Sequence, residues 1–380
     1  MATTKIGFVG VGDISRIYLE NITKRFAELE VIGVCDLVRA KAERAVEKYG
    51  IPKLYNDMYE LFADPEVDIV LNITRPNEHY GVSKAALEAG KPVYSEKPLA
   101  ATLEQGRELA ALAAEKGLLL GGAPDPFLGA GIQGCRRLIE EGLIGTPIGG
   151  MARMICHGHE TWHPDPEFYY RAPGGGPMLD MGPYYVTALV NLLGPVASVM
   201  GMVKTEYPTR TITSQPLHGT VVQVDCPTHE CGLIRFKSGA VAQIITTFDV
   251  FSMAGLPNIE IYGTKGNMSV PDPNNFGGEI KIKLGEKNPA NVAPGGGEWV
   301  PVDTPFSCYS DNSRALGLAD MAKALQTGRA PRAGVQQTLH VLEVLTAFRR
   351  SSETGQEIAI EAPFELQAPM GIAEEEGILS

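Results

Sequence analysis

Along the first third of the chain, short apolar runs alternate with amphipathic ones. Residues 6–9 form an apolar run with β-branched members, long enough for one buried strand. The run breaks at Gly10 and Gly12, and residues 14–22 follow at once with helical spacing of their apolar positions. A second strand-like run, 31–35, ends in Asp36; residues 40–49 then read as a helix, and a shorter helix closes at 61–65. Residues 67–73 make the next buried strand, which ends at Thr74-Arg75-Pro76-Asn77. Residues 78–89 are helical and are stopped by Gly90. A strand at 92–95 ends in Glu96-Lys97-Pro98, Thr102 caps a long helix to Lys116, and 118–120 is a further strand. Repeated strand–helix–strand units predict a doubly wound α/β domain whose parallel sheet is covered on both faces.

Near Pro124 the pattern changes. Residues 127–141 read as one more helix and 142–149 as a turn-rich connector. From Met151 onward strand-like runs dominate, at 221–224, 231–236, 241–250, 259–262 and 279–284. They flank one helical stretch, 178–193, preceded by Gly174-Gly175-Gly176. Turns such as Lys237-Ser238-Gly239 between such runs predict an antiparallel sheet. Residues 271–278 and 289–297 read as loops, 313–327 and 335–354 as closing helices. The tail after Pro363, with Glu374-Glu375-Glu376, is expected to be loose or to pack on a neighbour. The expected division is a nucleotide-binding domain, 1–124, and an α+β domain with an open, mostly antiparallel sheet, 125–380, for substrate binding and oligomerisation.

The length of 380 residues suits two domains, and 44% hydrophobic with 21% charged residues is ordinary globular composition. The net charge of −12 argues against nucleic acid or an anionic membrane as partner, since both need a basic footprint. Six cysteines are scattered with no disulfide framework, and several lie in apolar runs where a thiol acts as a small hydrophobe. The first strand begins within a few residues of Met1, which leaves no room for a signal peptide, and no apolar run approaches a membrane span. A cytoplasmic protein is expected.

Strand, glycine turn and helix is the context that gives Gly10-Val11-Gly12 its meaning. Gly10 takes backbone angles closed to other residues, Gly12 lacks the Cβ that would hold a ligand away, and the helix from Asp13 and Ile14 aims unpaired N–H groups at a pyrophosphate. Ser15 replaces the third glycine of the fingerprint, small enough for close helix–strand packing. Asp36 stands where an acid accepts the adenosine ribose hydroxyls. It would repel a 2′-phosphate and so favours NAD over NADP, although Arg39 nearby keeps NADP open. Gly10, Asp36, Thr74 and Lys97 all fall at carboxyl ends of predicted strands, where ligands collect on such sheets.

Lys97 can bind a substrate hydroxyl and stabilise an alkoxide as hydride leaves; the competing reading is a surface lysine paired with Glu96. Asp180 and Tyr184, spaced i, i+4 on the helix after the triple glycine, share one face and make a proton-relay set with a lysine. A phenol with an ordinary pKa of about 10 needs an adjacent cation to act as a base. The competing reading there is an acid capping the first turn and tyrosines in the core. The segment His157-Gly-His159-Glu-Thr-Trp162-His163 is the third cluster. His157 and His159 on a strand would face one way and invite a metal, but no third ligand is evident, and no metal is expected. We expect His157, Trp162 and His163 to line a substrate pocket, the tryptophan as a flat face for a sugar ring. A polar loop around a half-buried tryptophan is the alternative.

With these residues placed, the chain resembles the Gfo/Idh/MocA family of NAD(P)-dependent oxidoreductases over nearly its whole length. The marks are Gly10-Val11-Gly12, Asp36, Pro76 with His79, Glu96-Lys97-Pro98, and Gly174-Gly175-Gly176-Pro-Met-Leu-Asp180-Met-Gly182. The resemblance implies a Rossmann domain and an open sheet whose exposed face makes a homodimer or homotetramer contact. It implies hydride transfer between NAD and a carbon bearing a hydroxyl on a sugar, glycoside or cyclitol. It makes Lys97 the catalytic or substrate-orienting lysine and Asp180 its acidic partner; Thr74, Pro76, Asn77, His79, Glu96 and Lys97 itself are expected at the cofactor. The chain departs from the family where a histidine usually follows the aspartate by four residues, since Tyr184 stands there. The base is then Tyr184, Lys97 or a pocket histidine such as His163. Gly182-Pro183-Tyr184-Tyr185 is similar to the levoglucosan and glycoside-oxidising branch. Net glycoside cleavage through transient sugar oxidation, and a non-enzymatic nucleotide sensor, are the alternatives.

Overall fold

The structure, a computed structural model, describes residues 3–252, 255–285, 298–304, 306 and 308–371. The expected loop at 289–297 and the acidic run Glu374 to Glu376 lie outside the described residues. The chain forms two compact units: residues up to Asp125 with Ser313–Leu342, and Pro126–Asn312 with the chain from Glu343 onward.

In the first unit β1 (Thr4–Val9), β2 (Leu29–Cys35), β3 (Lys53–Leu54), β4 (Ile69–Asn72), β5 (Val93–Ser95) and β6 (Leu120–Gly122) alternate with helices. These are α1 (Ser15–Lys24), α2 (Arg39–Tyr49), α3 (Met58–Ala63), α4 (His79–Glu88) and α5 (Leu103–Lys116). The strands pair in the order β3-β2-β1-β4-β5-β6, all parallel. Ile6, Phe8, Ile69, Val70 and Leu71 are fully buried, as a sheet covered on both faces requires. Thr102 caps α5 as expected, its hydroxyl accepting the Gln105 N–H at 3.3 Å. The strand order reverses between β1 and β4, and the carboxyl ends of these two strands frame the position where such sheets bind ligands.

The second unit opens with α6 (Ala130–Glu140) and β7 (Pro147–Ile155). The expected single helix at 127–141 is a short 3-10 turn, Pro126–Leu128, followed by α6. Helix 178–193 is also two pieces, α7 (Pro177–Asp180) and α8 (Gly182–Leu193), with the break at Met181. Then come β8 (Val196–Lys204), β9 (Thr209–Thr211), β10 (Val221–Gln223), β11 (His229–Phe236), β12 (Val241–Thr247), β13 (Ile259–Gly263), β14 (Gly266–Val270), β15 (Lys281–Leu284) and β16 (Val300–Pro301). The chain closes with α9 (Leu316–Thr327), α10 (Val335–Thr354) and β17 (Ile358–Ala359).

Nine strands form one sheet, β16-β15-β14-β13-β7-β12-β11-β8-β17, antiparallel except for the β7–β12 pair. Strand β8 is absent from the sequence reading, because Gly201 and alternating exposed methionines blur its pattern. Residues 221–223 pair with β9 in a separate two-stranded ribbon rather than in the main sheet. All of α8 is buried, and Phe348 of α10 lies against Gly201 and Gly232, where an added Cβ would fall 2.7 and 2.8 Å from its ring. The opposite face leaves Met200, Met202, Leu233 and Val241 exposed; Met200 of β8 pairs with Leu233 of β11, Met202 faces Cys231, and Val241 of β12 faces Arg235.

The expected domain division at 124/125 differs from the structure in one respect: Ser313–Leu342 returns to the first unit. Helix α9 packs on β6, and the buried Asp125 carboxylate accepts the N–H groups of Ala315 and Gly317 at 3.0 and 3.1 Å. An apolar helical pattern shows that a helix is covered, not which sheet covers it.

Candidate active site

The functional side chains divide between the two units. In the first, β1 ends at Gly10, whose φ of +91° excludes other residues and whose absent Cβ would lie 2.7 Å from the Ile73 carbonyl. Gly12 differs in kind: a Cβ there would meet nothing within 4 Å. Its smallness serves space outside the protein. Ser15, buried at the third fingerprint position, donates its hydroxyl to the Gly12 carbonyl at 2.6 Å. Ile14 stands at the N-cap of α1 and provides no side-chain acceptor, so the first turn keeps N–H groups for an anion. Asp13 and Ile14 are exposed beside this turn. Asp36, at the end of β2, accepts the Val11 N–H at 2.6 Å and the Val38 N–H at 2.7 Å. One carboxylate thus joins the glycine turn to the loop of exposed Leu37 and Val38. A small-residue turn, an uncapped helix and an acid at the neighbouring strand end fit a dinucleotide.

The carboxyl ends of β4 and β5 are tied together by buried polar groups. Asn72 donates to the His79 carbonyl and to Ser83 Oγ, both at 3.0 Å, and its Oδ1 accepts from Thr74 Oγ1 at 2.7 Å. His79 is 1% exposed, with Nδ1 2.8 Å from the Pro98 carbonyl and Nε2 3.0 Å from the Thr74 carbonyl. Burial lowers its pKa, opposed by these two carbonyls. His79, expected at the cofactor, holds the two turns that carry Thr74 and Lys97. Pro76 and Asn77 lie on the first of these, Asn77 exposed. Glu96 is buried too: it accepts the Tyr18 hydroxyl at 2.7 Å and the Lys97 backbone N–H at 2.9 Å. The acid therefore fixes the backbone from which the half-buried Lys97 side chain leaves the sheet. Asn72 and Tyr18 went unremarked in the sequence, because a buried asparagine at a strand end and a tyrosine in a helix carry no local signal.

In the second unit, β7 stops at Ile155, and His157 and His159 fall in the loop beyond it. They do not share a strand face, since Gly158 between them takes φ +91°. His157 stacks on Phe251 at 3.8 Å between ring centroids, while His159 turns the other way, its Nε2 3.0 Å from Asp180 Oδ2. Trp162 is 60% exposed and meets the His159 ring edge-on at 5.2 Å. His163 accepts the Asp165 N–H on Nδ1 at 3.0 Å and lies edge-on to Trp162, Phe168 and Tyr169. So Trp162, His163 and Asp180 gather around His159, and the His157 ring meets Phe251 and Tyr207 instead. Among the described residues no group of three or more histidine, cysteine, aspartate or glutamate side chains could hold a metal.

Two buried ion clusters hold this loop and the triple glycine. Arg210, on β9, donates to Glu160 at 3.0 Å, to Asp249 at 2.5 Å, and to the carbonyls of Phe248 and His157 at 2.9 and 3.3 Å. Arg349, on α10, donates to Glu230 and to the Gly175 carbonyl, each at 2.9 Å. Burial raises the Glu230 pKa, and Arg349 opposes it. Gly176 has φ +98°, and a Cβ there would sit 2.6 Å from the Pro227 carbonyl. Its own carbonyl accepts the Asp180 N–H at 3.0 Å, so the glycine turn and Arg349 together position α7. The break at Met181 removes the continuous helix on which the i, i+4 relation of Asp180 and Tyr184 rested. Tyr184 lies in the first turn of α8, 7% exposed, with its N–H donating to the Met181 carbonyl.

Known proteins resemble both parts of the chain. Residues 4–122 match the oxidoreductase family with NAD-binding Rossmann fold, and residues 132–269 match the GFO/IDH/MocA C-terminal domain. An inositol 2-dehydrogenase/D-chiro-inositol 3-dehydrogenase of Lactiplantibacillus plantarum is 35% identical over 150 residues, 38% of this chain and 42% of that protein. The chain thus spans less than half the length of that relative. A 1,5-anhydro-D-fructose reductase of Ensifer adhaerens is 28% identical over 69% of this chain and 74% of its own. The fold of a levoglucosan dehydrogenase solved with NADH and L-sorbose superimposes with a TM-score of 0.80 at 20% identity, covering 96% of this chain and 100% of that one. On both domain matches, this chain belongs to the GFO/IDH/MocA family of oxidoreductases, with an NAD-binding Rossmann fold at its N-terminal end.

Proposed function

We propose that the protein is a dehydrogenase that oxidises a secondary hydroxyl of a sugar, glycoside or cyclitol with NAD. The observation that carries this reading is the Glu96–Lys97 turn, a lysine whose backbone a buried carboxylate fixes at the carboxyl end of β5 in an NAD-binding sheet. The turn of Gly10 and Gly12, the first turn of α1 and Asp36 would hold the cofactor, with Leu37 and Val38 as apolar surface beside the acid. When bound, NAD supplies the hydride acceptor. Lys97 binds the substrate hydroxyl through its ammonium and stabilises the oxygen as negative charge develops. With the helix broken at Met181 and Tyr184 buried, Asp180 rather than Tyr184, Lys97 or His163 takes the hydroxyl proton on its carboxylate, and Tyr184 assists that transfer. Trp162 and His163 give the sugar an aromatic face and a hydrogen-bonding edge, and His157 backs the loop that carries them.

The open face of the nine-stranded sheet supports a homodimer or homotetramer, because Met200 and Met202 of β8 and Leu233 of β11 are exposed on neighbouring strands. Among the described residues the six cysteines form no disulfide, and we read this as a cytoplasmic enzyme. Among the described residues no helix is long and apolar enough to cross a membrane.

The test is a panel of inositols, aldoses, anhydrosugars and glycosides with NAD and NADP, read by absorbance of the reduced cofactor. Stoichiometric NADH from at least one secondary alcohol, with NAD preferred, is expected. Glycoside cleavage with no net NADH would replace dehydrogenation by the elimination reading, and no turnover at all would contradict an enzyme of this class.

A further inference from the structure

His159 has no role in the site expected from sequence, and its surroundings give it a single polar task. Its ring is 9% exposed and boxed by Tyr169, Phe248 and Trp162, with centroids at 4.3, 4.7 and 5.2 Å. Its backbone is pinned as well: the N–H donates to the Tyr170 hydroxyl at 2.9 Å, that hydroxyl donates to Glu160, and Arg210 holds Glu160. Of the two ring nitrogens, Nε2 meets Asp180 Oδ2 at 3.0 Å, and Nδ1 is buried with no hydrogen-bond partner. A carboxylate only accepts, so of the two neutral tautomers the one with its proton on Nε2 fits. The other would face a lone pair to the carboxylate and bury an N–H with no acceptor.

We infer that His159 is a positioning residue for Asp180, donating through Nε2 to fix the carboxylate that receives the substrate proton. The inference rests on the reading of Asp180 as catalytic. It also accounts for the tyrosine at 184. The imidazole that the family resemblance places four residues after the aspartate arrives here from the loop after β7, 21 residues before the aspartate. The aromatic box leaves the ring little rotational freedom, so the carboxylate inherits its orientation from a fixed donor. Misplacing a reacting group by about 1 Å costs on the order of 100-fold in rate, and that sets the size of the expected effect.

Two measurements test this. In the wild-type protein labelled with ¹⁵N-histidine, long-range ¹H–¹⁵N correlation at pH 8, assigned with H159Q, should report a protonated Nε2 and a bare Nδ1 for His159. A proton on Nδ1 would overturn the inference whether or not a substrate has been found. In turnover of the best member of the panel, H159L should lose about 10- to 100-fold in kcat, with KM and NADH affinity within about twofold. H159Q, whose amide N–H can reach the same oxygen, should recover most of the loss. H159L with wild-type kcat, or H159Q as slow as H159L with an unchanged melting temperature, would overturn the role. Absence of turnover in the wild type would instead remove the dehydrogenase reading, leaving the tautomer to decide on His159.

Discussion

Gly10 and Gly12 are two residues apart and do different work. A Cβ at Gly10 would press on the Ile73 carbonyl at a φ of +91°, so G10A should destabilise the first unit by about 1–3 kcal/mol. Chemical denaturation measures that directly. A Cβ at Gly12 meets nothing in the protein, so G12A should unfold like wild type and weaken NADH binding by about tenfold or more. Equal stability losses in the two variants would deny Gly12 its ligand-facing role. These residues were legible in the sequence because the motif is local: strand, turn and helix are contiguous. The partner of Asp180 was not, because the residue named beside it, Tyr184, follows a helix break that Gly182 and Pro183 did not announce. His159 was visible only as a letter in a polar cluster, and its role depends on a loop held by Arg210.

At the level of elements, two buried acids mark where distant segments are stitched together. Asp125 holds the start of α9, and burial raises its pKa to about 6, Arg314 opposing and Glu96 adding to the shift. The folded chain therefore binds this proton more tightly than the unfolded chain, whose aspartate titrates near 3.9. The contribution of Asp125 to stability is most favourable below about pH 4 and is lost as pH rises through about 6. D125N, which stays neutral, should match wild type at pH 4 and exceed it by about 2–3 kcal/mol above pH 7, at roughly 1.4 kcal/mol per unit. Thermal melts of both proteins across that range check the sign; a gap that shrinks with rising pH contradicts it. Glu230 is stitched to α10 by Arg349. R349A should cost about 3–5 kcal/mol by stranding a buried carboxylate, and E230M/R349M should regain much of that. Neither stitch is readable in the chain, since Glu230 and Arg349 lie 119 residues apart. Helix α9 announces its apolar pattern but not that it serves the first unit.

For the whole molecule, the alternation of strands and helices pointed to a parallel sheet in the first unit, and hairpin turns pointed to an antiparallel second sheet. Strand β8 carries no clean alternation of apolar and polar residues. Its exposed Met200 and Met202 are what the oligomer proposal depends on, at 45% and 75% exposure beside Leu233. M202K/L233K should shift the mass measured by light scattering to that of a monomer, with NADH affinity unchanged; an unaltered mass would move the contact elsewhere. The central claim is that one lysine on an NAD-binding sheet performs chemistry rather than binding cofactor. The most direct measurement is K97A, titrated with NADH by fluorescence and assayed for turnover on the best panel substrate. The account predicts NADH affinity within a fewfold of wild type and a kcat lower by about 1,000-fold or more. Turnover near the wild-type rate would contradict it.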